Sequence, residues 1–169
     1  GKSTLLGCLS RDHLLDAGRI VFDGTDVTRL RAMQVARNGI GRTFQNVRIF
    51  PELSVWENAL MGRQWKGVGL RDMLRPADIA TRQRAADLIE LMGFPQLIHE
   101  YAGNLSGGQM RLLELVMAMM SRPRLVMLDE ATSGVNPTLI ESLKHYVKVL
   151  NQEEGVAFIV VEHNIGFIF

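Results

Sequence analysis

The sequence contains little that could form a covalent or metal-bound framework. It has one cysteine, Cys8, among 169 residues, so neither an internal disulfide nor a cluster of thiolate metal ligands can form within the chain. No uninterrupted apolar run approaches the roughly 18 residues that a bilayer-spanning helix needs. The formal net charge is only +1, so charge gives no evidence for a nucleic-acid partner. Hydrophobic residues make up 47% and charged residues 22%, which is the balance of a globular domain with a substantial core.

Short apolar segments alternate with longer helical patterns, and this alternation predicts an α/β fold. Four segments have the composition of strands: Arg19–Phe22, Ile40–Phe44, Leu125–Leu128 and Val156–Val161. The last two are continuous apolar runs, typical of strands buried on both faces. The amphipathic pattern of Thr138–Asn151 predicts a helix between them. Together these segments predict a strand–helix–strand unit of a parallel sheet.

The middle of the chain has a helical pattern instead. Trp56–Trp65 and Pro76–Met92 carry mixed apolar and charged faces, and the glycine-containing link Gly67–Gly69 separates them. Gly93 is placed to end the second helix. We interpret this region as a helical insertion between elements of the sheet.

The first four residues, GKST, lead into an apolar run and have the form of a phosphate-binding loop that continues as a helix. Backbone N–H groups at the helix start and the Lys2 ammonium would hold phosphates, and the Ser3 hydroxyl could ligate Mg²⁺. The complete motif has another glycine five residues before Gly1, in a part that this sequence does not include. GKST alone is equally compatible with an ordinary capped helix start.

The segment RLVMLDE (124–130) ends an apolar strand on two adjacent carboxylates. Ligands bind at the carboxyl edge of parallel sheets, and side chains alternate along a strand. Asp129 and Glu130 should therefore point in different directions. Asp129 would bind Mg²⁺ through its water shell, and Glu130 would orient and polarise an attacking water. The alternative is that two acids simply solvate the end of a strand.

Gln45 and His163 also follow predicted strands. The neutral amide of Gln45 could reach a metal or a water and report the presence of a γ-phosphate. His163 could contact the γ-phosphate as a donor or as an electrostatic stabiliser. Either residue alone would be an unremarkable loop or surface residue.

The five residues LSGGQ (105–109) stand 20 positions before Asp129. Ser106 can cap a helix that begins near Gly107. The glycines would let a phosphate approach bare N–H groups, where the helix dipole favours an anion. The alternative is an ordinary Ser-capped helix with glycines for a tight turn.

In their order and spacing, these motifs resemble those of the ATP-binding subunits of ABC transporters. The matching positions are a truncated Walker A (1–4), a Q-loop (Gln45), the family signature (105–109), a Walker B ending at Asp129 with the following Glu130, and an H-loop (His163). The resemblance spans nearly the whole chain. It implies one ATP-binding domain over 1–169 with a P-loop α/β fold, a mainly parallel sheet, an antiparallel β edge at Arg19–Phe22 and a helical subdomain over about 56–121.

The resemblance also implies ATP hydrolysis, with ATP and Mg²⁺ as cofactors. It assigns metal binding to Ser3, Gln45 and Asp129, and hydrolysis to Glu130 and His163. It assigns nucleotide contacts to Gly1, Lys2, Ser3, Thr4 and Gln45 and, across a subunit interface, to Ser106, Gly107, Gly108 and Gln109. We expect the segment 1–169 alone to be impaired, since the front of the P-loop, the first strand and the aromatic residue that stacks on adenine would precede Gly1.

The partners implied by the resemblance are a second ATP-binding subunit, paired head to tail as a homodimer or heterodimer, and transmembrane permease subunits. The chain would lie at the cytoplasmic face of the inner membrane, bound through the permeases. A periplasmic or extracellular solute-binding protein would complete the system. No nucleic-acid partner is expected. Phe50, Pro51 and Trp56, which follow Gln45 and look exposed, form the expected docking surface for the membrane partner.

One run narrows the resemblance further. GIGRTFQNVRIFPELSVWENALMG (39–62), together with GVNP (134–137), is similar to ATP-binding subunits of branched-chain amino acid importers. The expected function is therefore to power the uptake of branched-chain amino acids. Urea importers and lipopolysaccharide exporters share this style, so both stay open. Asn136 stands where the family usually has an aspartate that reaches across the dimer.

Soluble members of the same superfamily are the competing class. Repair and chromosome proteins place a long coiled coil between the Q-loop and the signature, but only 59 residues separate Gln45 from Leu105, without a sustained heptad. Translation factors usually carry two cassettes, which this sequence leaves open. A degenerate cassette without hydrolysis is favoured by nothing at Lys2, Asp129, Glu130 or His163.

Overall fold

The computed structural model describes residues 1–43, 47–64, 76–130, 132 and 136–162. Its helices are α1 (Lys2–Leu9), α2 (Ala32–Arg37), α3 (Val55–Met61), α4 (Ile79–Leu91), α5 (Gly107–Met120) and α6 (Pro137–Glu154). Its strands are β1 (Val21–Phe22), β2 (Thr25–Asp26), β3 (Ile40–Arg42), β4 (Leu125–Asp129) and β5 (Ala157–Val161), and 3-10 turns cover Pro95–Leu97 and Ala102–Asn104. None of the helices in this part of the chain is long and apolar enough to cross a membrane.

Strands β3, β4 and β5 form a parallel sheet with β4 in the centre. Helix α6 connects β4 to β5, so the predicted strand–helix–strand unit is confirmed. Strands β1 and β2 form a separate antiparallel hairpin, as expected for the β edge. Its two-residue turn, Asp23-Gly24, has φ angles of 48° and 75°. Positive φ at both turn residues matches the right-handed twist of a short hairpin and explains the Asp-Gly sequence.

The two faces of the parallel sheet carry separate apolar cores. On one face, Val126 and Leu128 of β4 belong to a larger cluster with residues of α3, α4, α5 and α6. On the other face, Met127 packs in a smaller cluster with Leu6 of α1 and Val35 of α2. Because successive side chains of a strand point to opposite faces, helices α1 and α5 cover opposite sides of β4.

Strand β5 departs from the prediction of burial on both faces. Phe158 and Val160 pack against the larger cluster, whereas Ala157 is exposed and Ile159 is 37% exposed. Strand β5 is the outer strand of the described sheet, and α1 on this face contacts β4. The prediction is correct for β4, which has a neighbour on each side and is buried from Val126 to Asp129.

Helix boundaries follow local capping signals. Helix α3 begins at Val55 because Ser54 and Glu57 form a capping box, and hydrogen bonds from the backbone and side chain of Ser54 lower the pKa of Glu57. Helix α4 begins three residues later than predicted because Asp78 caps it, accepting from the Thr81 N–H at 2.7 Å. Gly93, with φ of 79°, follows the end of α4 as predicted. The predicted link Gly67–Gly69 lies outside the described residues.

Candidate functional site

The GKST segment forms the start of α1, as predicted. Gly1 is the N-cap, and Lys2, Ser3 and Thr4 in the first turn are exposed. Leu6, which is fully buried in the smaller cluster, fastens the helix to the sheet. The first N–H groups of a helix have no partners within it. This start therefore presents donors, a cation and hydroxyls at one exposed place, which suits a phosphate group.

Asp129 ends β4 with its side chain buried, and the residue is 3% exposed. The Arg42 guanidinium donates from Nη2 to Oδ2 of Asp129 at 2.9 Å. The other oxygen, Oδ1, is also buried and has no hydrogen-bond partner among the described residues. Buried polar atoms without a partner are uncommon in native proteins, so Oδ1 is suited to a group that the protein itself does not supply.

These residues fit a magnesium ion held partly by water and nucleotide. Mg²⁺ in phosphate-binding enzymes usually takes one or two protein oxygens, substrate phosphates and several waters. Asp129 offers a buried carboxylate oxygen, and Ser3 offers an exposed hydroxyl on α1, which contacts β4. Within the described ranges there is no group of three or more His, Cys, Asp or Glu residues that could hold a metal. These two oxygens would suit a metal ion that takes its other ligands from water and phosphate.

Glu130 follows Asp129 in a different backbone conformation. Its φ is 51°, in the left-handed region that costs a non-glycine residue roughly 1–2 kcal/mol. Its backbone N–H still donates to the Val161 carbonyl oxygen at 2.9 Å, so the strand ladder reaches this residue before the chain turns. Strain of this kind tends to occur at functional sites. The two adjacent acids therefore differ in backbone conformation, with Asp129 in the strand and Glu130 just after it in the left-handed region.

Ser106 begins α5 as its N-cap, as predicted. Its Oγ accepts from the Gln109 N–H at 3.3 Å, and Oε1 of Gln109 accepts from the Ser106 N–H at 2.9 Å. These reciprocal bonds form a capping box. Sequence analysis missed this local role of Gln109, although the Ser-x-x-Gln spacing is the signal for it.

The two glycines of the signature have different surroundings. A Cβ at Gly107 would meet no atom within 4 Å, whereas a Cβ at Gly108 would lie 2.1 Å from Cδ2 of Leu139. Leu139 is in the first turn of α6, and Asn136 caps that turn by accepting from the Leu139 N–H at 2.9 Å. Gly107 therefore faces open space, and Gly108 allows the starts of α5 and α6 to approach.

Gln45 and His163 lie outside the described residues, so their roles stay predictions. The residue before His163 has a partner that sequence analysis missed. The Glu162 carboxylate accepts from both the N–H and the hydroxyl of Thr132, at 2.8 and 2.7 Å. This pair of bonds joins the residue that follows β5 to Thr132, two residues beyond Glu130. An acid at a strand end carries no signal for a partner 30 residues away.

The structure thus arranges the described site residues in two places. Helix α1 contacts β4, so the GKST helix and the strand that ends at Asp129 are neighbours. The signature helix α5 packs in the larger cluster, against the opposite face of the sheet. The two predicted anion-binding helix starts therefore belong to helices on different sides of β4.

Comparisons with known proteins agree on one family. The family model described as ABC transporter matches residues 1–133. The chain is 33% identical over 175 residues to the high-affinity branched-chain amino acid transport ATP-binding protein BraF of Pseudomonas aeruginosa, covering 99% of this chain and 69% of the relative. It is 31% identical over 173 residues to a probable branched-chain amino acid transport ATP-binding protein, LivG, of Methanocaldococcus jannaschii, covering 99% and 67%. The methionine import ATP-binding protein MetN of Aliivibrio fischeri is 28% identical over 170 residues, covering 99% and 47%.

Comparison with solved structures points to the same family. A nucleotide-free ATP-binding cassette from an ABC transporter superposes with a TM-score of 0.85 at 31% identity, covering 99% of this chain and 68% of that one. The ADP conformation of an ATP-binding cassette of an ABC transporter gives 0.84 at 30% identity, with the same coverage. The chain therefore spans about two thirds of the length of these cassettes and of its branched-chain relatives.

Proposed function

We propose that this chain, which belongs to the ABC transporter family, powers the uptake of branched-chain amino acids as the ATP-hydrolysing subunit of its transporter. Family membership makes it an ABC-type ATP hydrolase with ATP as its nucleotide. The substrate proposal rests on one observation, the 33% identity to a branched-chain transport subunit across 99% of the chain. The methionine import relative is less similar, at 28%. Urea import and lipopolysaccharide export are the alternative functions.

ATP would be shared between two such subunits paired head to tail. Gly1, Lys2, Ser3 and Thr4 would hold the nucleotide bound to their own subunit, and residues 106–109 would close on the nucleotide of the second subunit. The packing of α1 and α5 on opposite faces of the sheet supports this division. Contacts that form only in the closed pair would favour closure while ATP is intact. After hydrolysis those contacts would be lost, and the pair would open.

Hydrolysis would use the carboxyl edge of the sheet. Ser3, Gln45 and Asp129 would hold Mg²⁺, whose charge when bound neutralises phosphate oxygens. Glu130 would orient and polarise the attacking water, and His163 would contact the γ-phosphate. The left-handed φ at Glu130 supports this role, since it gives the second acid a backbone conformation different from that of Asp129 in the strand.

The segment 50–54 is the proposed contact with transmembrane permease subunits. Phe50 is 45% exposed and Pro51 is exposed. Trp56 corrects the expectation of an exposed ring, because it is half-buried against the larger cluster. The fully buried Asn58 holds the segment, accepting from the Phe50 N–H at 2.8 Å and donating to the Phe50 carbonyl oxygen at 2.9 Å.

This segment is bonded to the residues that lead into the signature. The Ala102 N–H donates to the Leu53 carbonyl oxygen at 2.9 Å, and the Gly103 N–H donates to the Pro51 carbonyl oxygen at 3.0 Å. Residues 102–104 precede Ser106, so a displacement of the segment by a permease would move the start of α5. Docking would place the chain at the cytoplasmic face of the inner membrane, with a solute-binding protein on the other side. The helical subdomain over about 56–121 would carry this movement within the domain 1–169.

The hydrolytic assignment is tested by Glu130→Gln in the full-length protein. The amide keeps the shape of the side chain but polarises water far less, so phosphate release should be abolished. ATP-dependent dimerisation, measured by size-exclusion chromatography, should remain. Rapid ATP hydrolysis by this variant would refute the role of Glu130.

The substrate is tested by uptake of radiolabelled leucine in cells that lack the gene. Uptake should be lost and then restored by the wild-type gene but not by the Glu130→Gln variant. Methionine and urea uptake, measured in the same cells, should be unchanged. Normal leucine uptake together with loss of methionine or urea uptake would overturn the substrate proposal and leave the ATPase assignment intact.

A further inference from the structure

One guanidinium joins three separate parts of the chain next to the proposed metal site. Arg42, at the end of β3, donates from Nη2 to Oδ2 of Asp129 at 2.9 Å. It also donates from Nη1 to Oδ2 of Asp12 at 2.8 Å and to Oγ of Ser10 at 2.9 Å. Asp129 is 87 positions away in the sequence, and Asp12 is 30. Ser10 is the C-cap of α1, so Arg42 links the end of that helix to the end of β4.

The burial of this network favours an arginine at its centre. The side chains of Arg42 and Asp129 are 13% and 4% exposed, and that of Asp12 is 41% exposed. A buried carboxylate is costly unless an opposite charge pairs with it in good geometry. The planar fork of arginine can bond two carboxylates at once from different nitrogens, whereas lysine offers a single nitrogen.

We propose that Arg42 is a positioning residue for the metal–nucleotide site, an inference that rests on the proposed role of Asp129. By binding Oδ2, Arg42 fixes the rotation of the Asp129 carboxylate and leaves Oδ1, which has no partner among the described residues, for the hydration shell of Mg²⁺. By binding Ser10 and Asp12, it also sets the position of α1 relative to β4. One side chain thereby aligns the strand that carries Asp129 with the helix that carries Ser3.

The test measures how nucleotide binding depends on magnesium in the full-length protein. A fluorescent ATP analogue is first titrated in EDTA, which gives the nucleotide affinity without metal. Mg²⁺ is then titrated at a fixed concentration of the analogue, which gives the Mg²⁺ concentration at half of the metal-dependent signal. Loss of a residue that orients a metal ligand typically weakens metal binding 10- to 100-fold. Arg42→Met should therefore raise the half-saturating Mg²⁺ concentration by roughly that factor, with a smaller loss of nucleotide affinity in EDTA, which depends on the position of α1 but not on the metal. Damage to the fold would weaken both to a similar extent.

Arg84 provides a matched control. Its side chain is 12% exposed and donates to Glu154 at 2.8 Å and to the Met119 carbonyl oxygen at 2.8 Å. Arg84→Met removes an equally buried arginine, here one that pairs with the 31% exposed Glu154 between α4 and α6, so it should lower the melting temperature without changing the magnesium requirement. Arg42→Lys should give an intermediate requirement, and it carries the test if Arg42→Met does not fold.

The variant Asp129→Asn distinguishes a failure of the positioning role of Arg42 from a failure of the proposed metal role of Asp129. If Asp129→Asn raises the magnesium requirement while Arg42→Met and Arg42→Lys stay within twofold of wild type, the positioning role of Arg42 is wrong. If Asp129→Asn itself leaves the requirement unchanged, the proposed metal role of Asp129 fails, and the inference about Arg42 fails with it. A rise in all three variants but not in Arg84→Met supports the inference.

Discussion

Replacing each of the two signature glycines by alanine should have different effects on stability. In Gly107→Ala the new methyl group enters open space, since no atom lies within 4 Å of its position. In Gly108→Ala the methyl carbon would lie 2.1 Å from Cδ2 of Leu139. The two positions are adjacent at the start of one helix, so each variant serves as the control for the other.

Two terms act on these variants, and only the second differs between them. Alanine is favoured over glycine within a helix by up to about 1 kcal/mol, and this gain applies to both variants. At position 108, Leu139 must withdraw by about 1.3 Å to reach ordinary contact at 3.4 Å. Overpacking of this kind typically costs about 1–3 kcal/mol. We therefore expect Gly107→Ala to be neutral or more stable, and Gly108→Ala to be less stable than Gly107→Ala by about 1 kcal/mol, the lower end of that range, because Leu139 is half-buried and its side-chain end can move.

Urea denaturation of the full-length variants gives the free energies of unfolding, and Leu139→Ala completes a double-mutant cycle. Shortening Leu139 removes the obstructing methyl group. In that background, Gly108→Ala should no longer be less stable than Gly107→Ala. ATP turnover adds a second measurement, because the methyl group of Gly107→Ala would cover the surface proposed to meet ATP of the partner subunit. That variant should lose turnover without losing stability.

Two results would refute this reasoning. Gly108→Ala could prove as stable as Gly107→Ala, or Leu139→Ala could fail to remove the difference between them. Either result would show that the approach of α5 and α6 is not what requires glycine at position 108. Full turnover by Gly107→Ala would instead reject the proposal that this surface meets a nucleotide.

Two further predictions concern the packing of α3 and of the segment before it. Gly62→Ala would place Cβ 2.1 Å from the Met117 carbonyl oxygen. Because backbone cannot withdraw as a side chain can, we expect the free energy of unfolding, measured by thermal unfolding, to fall by at least about 2 kcal/mol. A variant as stable as wild type would contradict this close approach of α3 and α5. Asn58→Ala removes the buried amide that bonds both backbone groups of Phe50. The free energy of unfolding should therefore fall by about 1–3 kcal/mol, and proteolysis should begin within 50–54. Unchanged cleavage would mean that Asn58 does not hold this segment.

The features that were predicted correctly have physical causes that act over a few residues. The helix starts at Gly1 and Ser106, the end of α4 at Gly93 and the parallel unit of β4, α6 and β5 were all predicted. Each depends on a cap, a glycine or an apolar period that the local sequence contains. Errors of the same local kind were small, such as the later start of α4, where Asp78 caps the helix within the predicted span.

Contacts between distant segments could not be predicted in this way. An arginine three residues before Gln45 gives no indication that its guanidinium bonds a carboxylate 87 positions away. The pairing of Glu162 with Thr132 and the approach of Leu139 to Gly108 have the same character. The exposure of Ile159 shows why the burial of a strand is hard to predict from sequence, because an apolar run does not reveal whether the strand is central or outermost in its sheet.

The sequence by itself determined the family and the order of the nucleotide-binding motifs, because short runs such as GKST and LSGGQ contain the donors, caps and glycines that their local geometry needs. The tertiary structure decided how those motifs are divided and supported. Alternation along β4 places α1 and α5 on opposite faces of the sheet, and the burial of Asp129 makes a counter-charge necessary, which Arg42 supplies. Which side of a strand a helix covers, and which charge meets a buried carboxylate, depend on packing between segments that are far apart in the chain.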